Sequence, residues 1–450
     1  MGIRIAFFIV AEAVVFGLSW VLCQSPASVL YAAAVPGFLV YVVLFRRDAA
    51  KRLSWRHGVY FALLGLGVVG ALVSLAWITP LVHLSWVEVL GAVYFLAALY
   101  ILVWAADQVL NAGLSRAFGV ASDARLPRLR VLPKTALRVV ALVLLGGPFV
   151  AAAMATHSPK FIDTTDPKQL GGIPFEPVAF CTPDNVRLQG WFIPALDMTS
   201  ETTVIVAPAR GMSKVYFLPH ALMLADSLFN VLLVDLRGEG GSEGHTRGFG
   251  VIEAQDVLGA LEYLQQARPR QSRHVFALGV SQGASAVLAA ARADPRIEAV
   301  IADSAFPHPA SELGEMTSWL PWPLDSYFRK ATLLAASAQL GCNLFDNGSC
   351  RDIAAIAPRP VLLIHGGADE AVSVRDAQAL YAAANYPAML WNVRGAAHGG
   401  ALDVNPVDYS RAVCTMLRSV RLGLPPFQWA ARMRTAAPGA TDRAGAPAAS

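Results

Sequence analysis

The 450-residue chain is 55% hydrophobic and only 15% charged, too apolar for a wholly water-soluble protein and long enough for two or three domains. Its net charge is only +4, and the basic residues crowd beside apolar runs, which argues against nucleic-acid binding and for membrane topology.

The apolar surplus lies before residue 157. Five runs, 5–22, 29–45, 59–78, 89–106 and 139–156, are each about long enough to cross a bilayer as a helix. The first resembles a signal peptide, but no cleavage site follows it, so it reads as a retained span. The connections 24–28 and 79–88 hold no Lys or Arg. Arg46, Arg47, Lys51, Arg52 and Arg56 crowd one of the others, and Arg116, Arg125, Arg128, Arg130, Lys134 and Arg138 crowd another. Basic loops stay in the cytoplasm, which puts the N-terminus inside the plasma (inner) membrane and everything after residue 156 outside it. Glu12, Glu88 and Asp107 lie in or beside these runs and read as structural, with no repeat that would mark an ion pathway.

After a linker, 157–173, composition becomes that of a globular domain, 157–424. The strands 177–182 and 186–193 around Pro183-Asp184-Asn185 read as a hairpin. Strand patterns follow at 203–207, 230–235, 274–278, 299–303, 360–365 and 388–393, separated by helical patterns at 216–228, 251–266, 282–293, 374–384 and 407–420. This alternation specifies a doubly wound, mostly parallel sheet covered by helices on both faces. A site in such a sheet lies where the strands end.

The stretch 273–291 carries the strongest signal. A short apolar run suited to a buried strand breaks at Gly279-Val280-Ser281-Gln282-Gly283 and continues as a helix of small residues. A serine on so sharp a turn needs glycine two residues to either side, because a Cβ there would strike the neighbouring strand or helix. Ser281 then points out of the sheet, and the Gln282 N–H, at a helix N-terminus, is free to bind a developing oxyanion. The strands at 360 and 388 are followed by Asp369-Glu370 and by His398, a carboxylate and an imidazole each at a strand end. The glycine-dense loop 235–244 lacks the lysine of a phosphate-binding loop, and no helix opens from it directly.

The order Ser281, Asp369, His398 resembles that of the α/β-hydrolases. So do DLRGEGGSEG at 235–244, PRPVLLIHGGADEAV at 358–372 and GAAHGG at 395–400, and the resemblance covers about 177–422. It implies an acyl-transfer mechanism in which Ser281 attacks, His398 moves the proton and Asp369 holds the imidazole. Glu370 would serve only if its loop were turned. The second oxyanion donor is implied to come from 208–212, from Arg210 or else Gly211, where this chain reads Pro-Ala-Arg-Gly-Met and the family usually has His-Gly. Glu239 stands where the family often has His. The mechanism needs no metal and no cofactor, and neither a zinc-binding His spacing nor a Cys-x-x-Cys pair is present.

The insertion 306–357 stands where a lid would be. Rich in Trp319, Trp322, Tyr327 and Phe328, it reads chiefly as a helical subdomain with its own core, or else as the pocket for a lipid-like acyl group. Cys342 and Cys350 flank a loop of Gly, Asn and Asp, and a disulfide between them is expected on an oxidising face. The tail 425–450 turns to Ala, Pro, Gly and Thr and reads as disordered. The leading expectation is a membrane-anchored serine hydrolase that takes a small-molecule or lipid-like acyl substrate. The alternative is a receptor or assembly protein that keeps the fold without the activity.

Overall fold

The computed structural model describes residues 172–425 continuously, parts of 143–169, and residues 428, 431–432 and 441–442. The first four expected spans and part of the fifth lie outside the described residues. Among the described residues no helix is long and apolar enough to cross a membrane. Two compact units are distinguished, Met1–Met154 with Ala335–Cys342, and Ala155–Leu334 with Asn343–Ser450. In the first, residues 151–154 are helical. The expected lid is therefore divided between the units.

The second unit is built on one sheet. Its strands are β1 (Glu176–Cys181), β2 (Arg187–Ile193), β3 (Thr202–Ala207), β4 (Asn230–Val234), β5 (His274–Val280), β6 (Ile297–Asp303), β7 (Val361–Gly366) and β8 (Ala388–Val393), with a two-residue β9 (Thr441–Asp442). The order across the sheet is β1-β2-β4-β3-β5-β6-β7-β8-β9, and every neighbouring pair from β4 to β8 is parallel. The hairpin β1–β2 and the short β9 pair antiparallel. Every residue of β3, β4 and β7 is buried, as expected of strands covered on both faces. The hairpin turn is held locally. Val186 N–H donates to Thr182 Oγ1 at 2.9 Å, and Asn185 takes the left-handed conformation that Asn tolerates.

The helices are α1 (Leu218–Asp226), α2 (Ala254–Ala267), α3 (Gln282–Ala293), α4 (Pro309–Thr317), α5 (Leu324–Leu340), α6 (Ser349–Ala354), α7 (Val374–Ala383), α8 (Ala401–Val404) and α9 (Pro406–Arg421). Side chains alternate across each strand and so build two cores. Val204 and Val206 of β3 pack in the cluster that α1 and α9 close, through Leu224 and Tyr409. Ile205 and Ala207 face the cluster closed by α2, α3 and α7, through Leu261, Val287 and Leu380. From β3 the chain moves first to β4 on one side and later to β5 on the other. The loops leaving β3 and β5 therefore flank the point where strand order reverses, the crevice position in sheets of this kind.

Several expectations need correction. Trp319 and Trp322 are 77% and 85% exposed, not packed in a core of the insertion. They occupy the turn between α4 and α5, beside Pro321 and Pro323, and so lie on no helix face that could bury them. The expected Cys342–Cys350 disulfide is not formed; both are thiols. Asn side chains close the loop between them instead. Phe345 N–H donates to Asn343 Oδ1 at 2.9 Å, and Asn347 Nδ2 donates to the Asn343 carbonyl at 2.7 Å. In the tail, where no structure is expected, Thr441 and Asp442 pair with Leu390 and Met389.

Candidate active site

Ser281 follows β5 and precedes α3 at φ 55° and ψ −118°. So strained a backbone persists only where its surroundings enforce it. The two flanking glycines do so. A Cβ on Gly279 would lie 2.2 Å from the Gly283 carbonyl oxygen, and one on Gly283 would lie 2.1 Å from that of Ala207. The Ser281 N–H donates to the Asp303 carbonyl at 2.8 Å, which ties the elbow to the end of β6.

Past β7 and β8 the structure brings Asp369 and His398 together, with His398 Nδ1 2.8 Å from Asp369 Oδ2. The other carboxylate oxygen accepts the N–H groups of Ala371 and Val372 at 2.9 and 2.8 Å. The Asp369 side chain is fully buried and Glu370 is exposed, so the loop presents Asp369 to the imidazole. Burial would raise the Asp369 carboxyl pKa, but the bonds from His398 and Val372 hold it below the ordinary value. Burial pulls the His398 pKa down, and the hydrogen bond and charge of Asp369, aided by Asp303 and Glu312, bring it above the ordinary 6.5. Ser304 supports the same loop: its hydroxyl accepts the Gly399 N–H at 3.0 Å and donates to Asp303 Oδ1 at 3.0 Å. The Ser281 hydroxyl and His398 do not share a hydrogen bond among the described residues.

The loop after β3 distinguishes its two candidate donors. The Gly211 N–H is committed to Glu239 Oε1 at 2.7 Å. The N–H groups of Arg210 and of Gln282, the first residue of α3, make no hydrogen bond among the described residues. Glu239 is held by Arg247, whose guanidinium lies 2.6 Å from Oε1 and donates to Oε2 at 2.9 Å. Burial raises the Glu239 carboxyl to about 7 despite Arg247. Side-chain bonds from Arg210 go to Gln282 Oε1 at 3.1 Å, to the Ala155 carbonyl at 3.0 Å and to Glu312 of α4. Its guanidinium carbon lies 4.6 Å over the Phe249 ring.

Of the residues singled out in the sequence, the structure brings Asp369 and His398 together and sets Ser281 and Gln282 at the strand-to-helix elbow. Sequence reasoning missed Arg247, Ser304 and Glu312. Glu239 was visible in the sequence, but its bond to Gly211 was not.

The glycine-dense loop after β4 closes on its own carboxylate. Asp235 accepts the N–H groups of Lys214 and Gly241 at 2.7 and 2.9 Å, and a Cβ on Gly240 would fall 2.3 Å from its carboxyl carbon. Beyond it, Arg237 donates to Asp256 Oδ1 at 2.7 Å and to both Asp184 oxygens at 2.6 and 2.8 Å, tying the hairpin turn to α2. These glycines serve packing. No group of three or more His, Cys, Asp or Glu side chains among the described residues is arranged to hold a metal ion.

The profile of the family described as X-Pro dipeptidyl-peptidase (S15 family) matches residues 174–327, a span that includes Ser281 and the loop after β3 but stops before Asp369 and His398. The uncharacterized protein YfhR of Escherichia coli O157:H7 is 29% identical over 238 residues, 51% of this chain and 76% of YfhR. The alpha/beta hydrolase domain-containing protein WAV2 of Arabidopsis thaliana is 25% identical over 214 residues, 47% of this chain and 67% of WAV2. Among solved structures, an esterase from Pyrococcus furiosus is similar with a TM-score of 0.50 and 25% identity, covering 59% of this chain and 97% of the esterase. With the strand order, the serine elbow and the Asp–His pair at successive strand ends, these similarities identify the region from about 174 to 422 as a domain of the α/β-hydrolase fold.

Proposed function

We propose that this chain is a serine hydrolase that cleaves an ester, thioester or amide through an acyl-enzyme. The observation that carries the reading is the pairing of a strained Ser281 elbow with a His398–Asp369 hydrogen bond on the same end of the sheet. Ser281 Oγ adds to the acyl carbon while its proton passes to His398. The imidazolium, held by Asp369, returns that proton to the leaving group as the bond to it breaks. Water then enters by the same path in reverse, and the acid leaves. The tetrahedral oxyanion is held by the N–H groups of Gln282 and Arg210. Each such donor contributes about 3 kcal/mol. Similarity to an esterase and to a peptidase family supports hydrolysis and leaves the leaving group open between alcohol, thiol and amine.

A small-molecule or lipid-like acyl substrate fits this reading, as does a domain tethered by apolar spans to the outer face of the plasma membrane. The charge pattern of residues 1–156 supports that sidedness. A reporter active only outside the cytoplasm, fused after Leu422, is expected to be active; activity of a cytoplasmic reporter there would overturn it. For the chemistry, a fluorophosphonate probe is expected to label the wild type and not Ser281→Ala. Equal labelling of the two, or none of the folded wild type, would favour the non-catalytic alternative.

A further inference from the structure

The two backbone donors assigned to the oxyanion are 72 positions apart in sequence, yet their own side chains are bonded to each other, Arg210 Nε to Gln282 Oε1 at 3.1 Å. The same guanidinium has two further attachments. One N–H reaches the Ala155 carbonyl at 3.0 Å. Another reaches Glu312 on α4, the first helix of the insertion, and this pair forms an ion pair. Phe249 lies against the guanidinium plane. A guanidinium presents its donors in a rigid fork, so fixing three of them fixes the side chain and, with it, the position of its own backbone. Gln282 is 1% exposed and cannot swing away, which makes it a firm anchor for the bond. From the other side, Glu239 holds the next residue by the Gly211 N–H, so the loop is gripped at two adjacent positions.

We propose that the Arg210 side chain is a positioning residue that locks the two oxyanion donors to each other and, through Glu312, makes their alignment depend on the seating of α4. The inference rests on the serine-hydrolase reading. It assigns to α4 a role in the transition state. When α4 is seated, Glu312 holds the guanidinium against Gln282 and the Arg210 N–H stays aimed beside that of Gln282. When α4 lifts, the guanidinium loses its carboxylate and the loop keeps only the Glu239 attachment.

The test compares Arg210→Met, Arg210→Lys, Glu312→Gln and the double variant Arg210→Met with Glu312→Gln, in the full chain, on a p-nitrophenyl ester. Phenylboronic acid, which forms a tetrahedral adduct with a reactive serine, reports the oxyanion site separately. Removing the lock is expected to lower kcat about 100-fold in Arg210→Met, the range for loss of one oxyanion donor. KM should change less than about threefold, and the Ki of phenylboronic acid should rise roughly in step with the fall in kcat. Glu312→Gln should fall between this variant and the wild type. The double variant should be no worse than Arg210→Met, because both changes break one link. Arg210→Lys, which keeps the charge but loses the fork, should resemble Arg210→Met, and it decides the matter if that variant fails to fold.

Additive losses in the double variant, a boronate Ki unchanged while kcat falls, or full activity in Arg210→Lys would each overturn the lock. A folded wild type that neither turns over the ester nor takes up a fluorophosphonate would instead overturn the hydrolase reading beneath it.

Discussion

The Asp369–His398 arm and the proposed oxyanion arm stand at the same end of one sheet, and they are held by different kinds of contact. Asp369 is fixed by N–H groups two and three residues further along its own turn and by His398 on the neighbouring loop. Arg210 is fixed by Glu312, 102 positions away, and Gly211 by Glu239, 28 positions away. In the first arm one carboxylate oxygen is held by its own turn, and only the bond to His398, 29 positions away, depends on the wider fold. The second is a set of partly and fully buried charges brought together only by the finished fold. Local geometry is robust and repeats between proteins; a charge network can be rebuilt from different residues while serving the same backbone donor. In this chain the network is built from Glu239 and Arg247 on one side and from Arg210 and Glu312 on the other.

The largest test of this contrast is Asp369→Asn. The amide leaves the loop in place but favours the wrong imidazole tautomer, and kcat is expected to fall about 10⁴-fold with little change in the melting temperature. A loss below about tenfold would mean that the local arm does not organise the base. The pH profile gives a second readout. Because the His398 pKa is raised, kcat/KM in the wild type should fall as pH drops through a midpoint above 6.5, and the Asn variant should move that midpoint down.

On the oxyanion side, Glu239→Gln replaces a buried carboxylate by a neutral group that keeps an acceptor for the Gly211 N–H but gives up the ion pair with Arg247. Burial raises the Glu239 carboxyl from the ordinary 4.5 to about 7. The folded chain therefore holds this proton more tightly than the unfolded chain. That contribution is complete below about 4.5 and is lost as pH rises through about 7, so the wild-type melting temperature should decline across that window relative to the Gln variant. Identical slopes would show that Glu239 carries its charge throughout.

A smaller effect is expected at Gly283→Ala, where the new Cβ meets the Ala207 and Pro208 carbonyl oxygens at 2.1 and 2.5 Å and must push the elbow and the loop after β3 apart. Overpacking of this kind costs about 1–3 kcal/mol, and activity should fall along with stability because both arms meet there. The smallest effect belongs to Ser373→Ala. Its hydroxyl accepts the Arg375 N–H at 3.2 Å and caps α7 beyond the acid loop, so about 1 kcal/mol of stability should go while kcat stays near wild type. A kcat loss there would mean that the acid loop depends on α7.

What could be read from the sequence follows the same division. Helix α3 and strand β8 begin and end where the apolar pattern places them, and β1 to β7 agree to within two residues at each end, because continuous apolar runs and small-residue helices are local signals. Ser281, Asp369 and His398 were visible because each lies just past a strand within a short glycine-marked motif. Glu312 carried no such mark: within α4 it is one acidic residue among polar neighbours, and only the path of the insertion brings it to Arg210. The exposure of Trp319 and Trp322 was hidden for a related reason, since composition predicts a core but only the turn that carries them decides whether one exists.

The short β9 has a consequence for handling the protein. Strand β8 would otherwise end the sheet with a row of unsatisfied amides and carbonyls, and Thr441 and Asp442 occupy part of that row. A bare, apolar sheet edge is a template on which a second chain can add. Trimming the chain after 425, the natural choice if the tail is taken as dispensable, would uncover that template, and the shortened protein should self-associate at concentrations where the full chain stays dispersed.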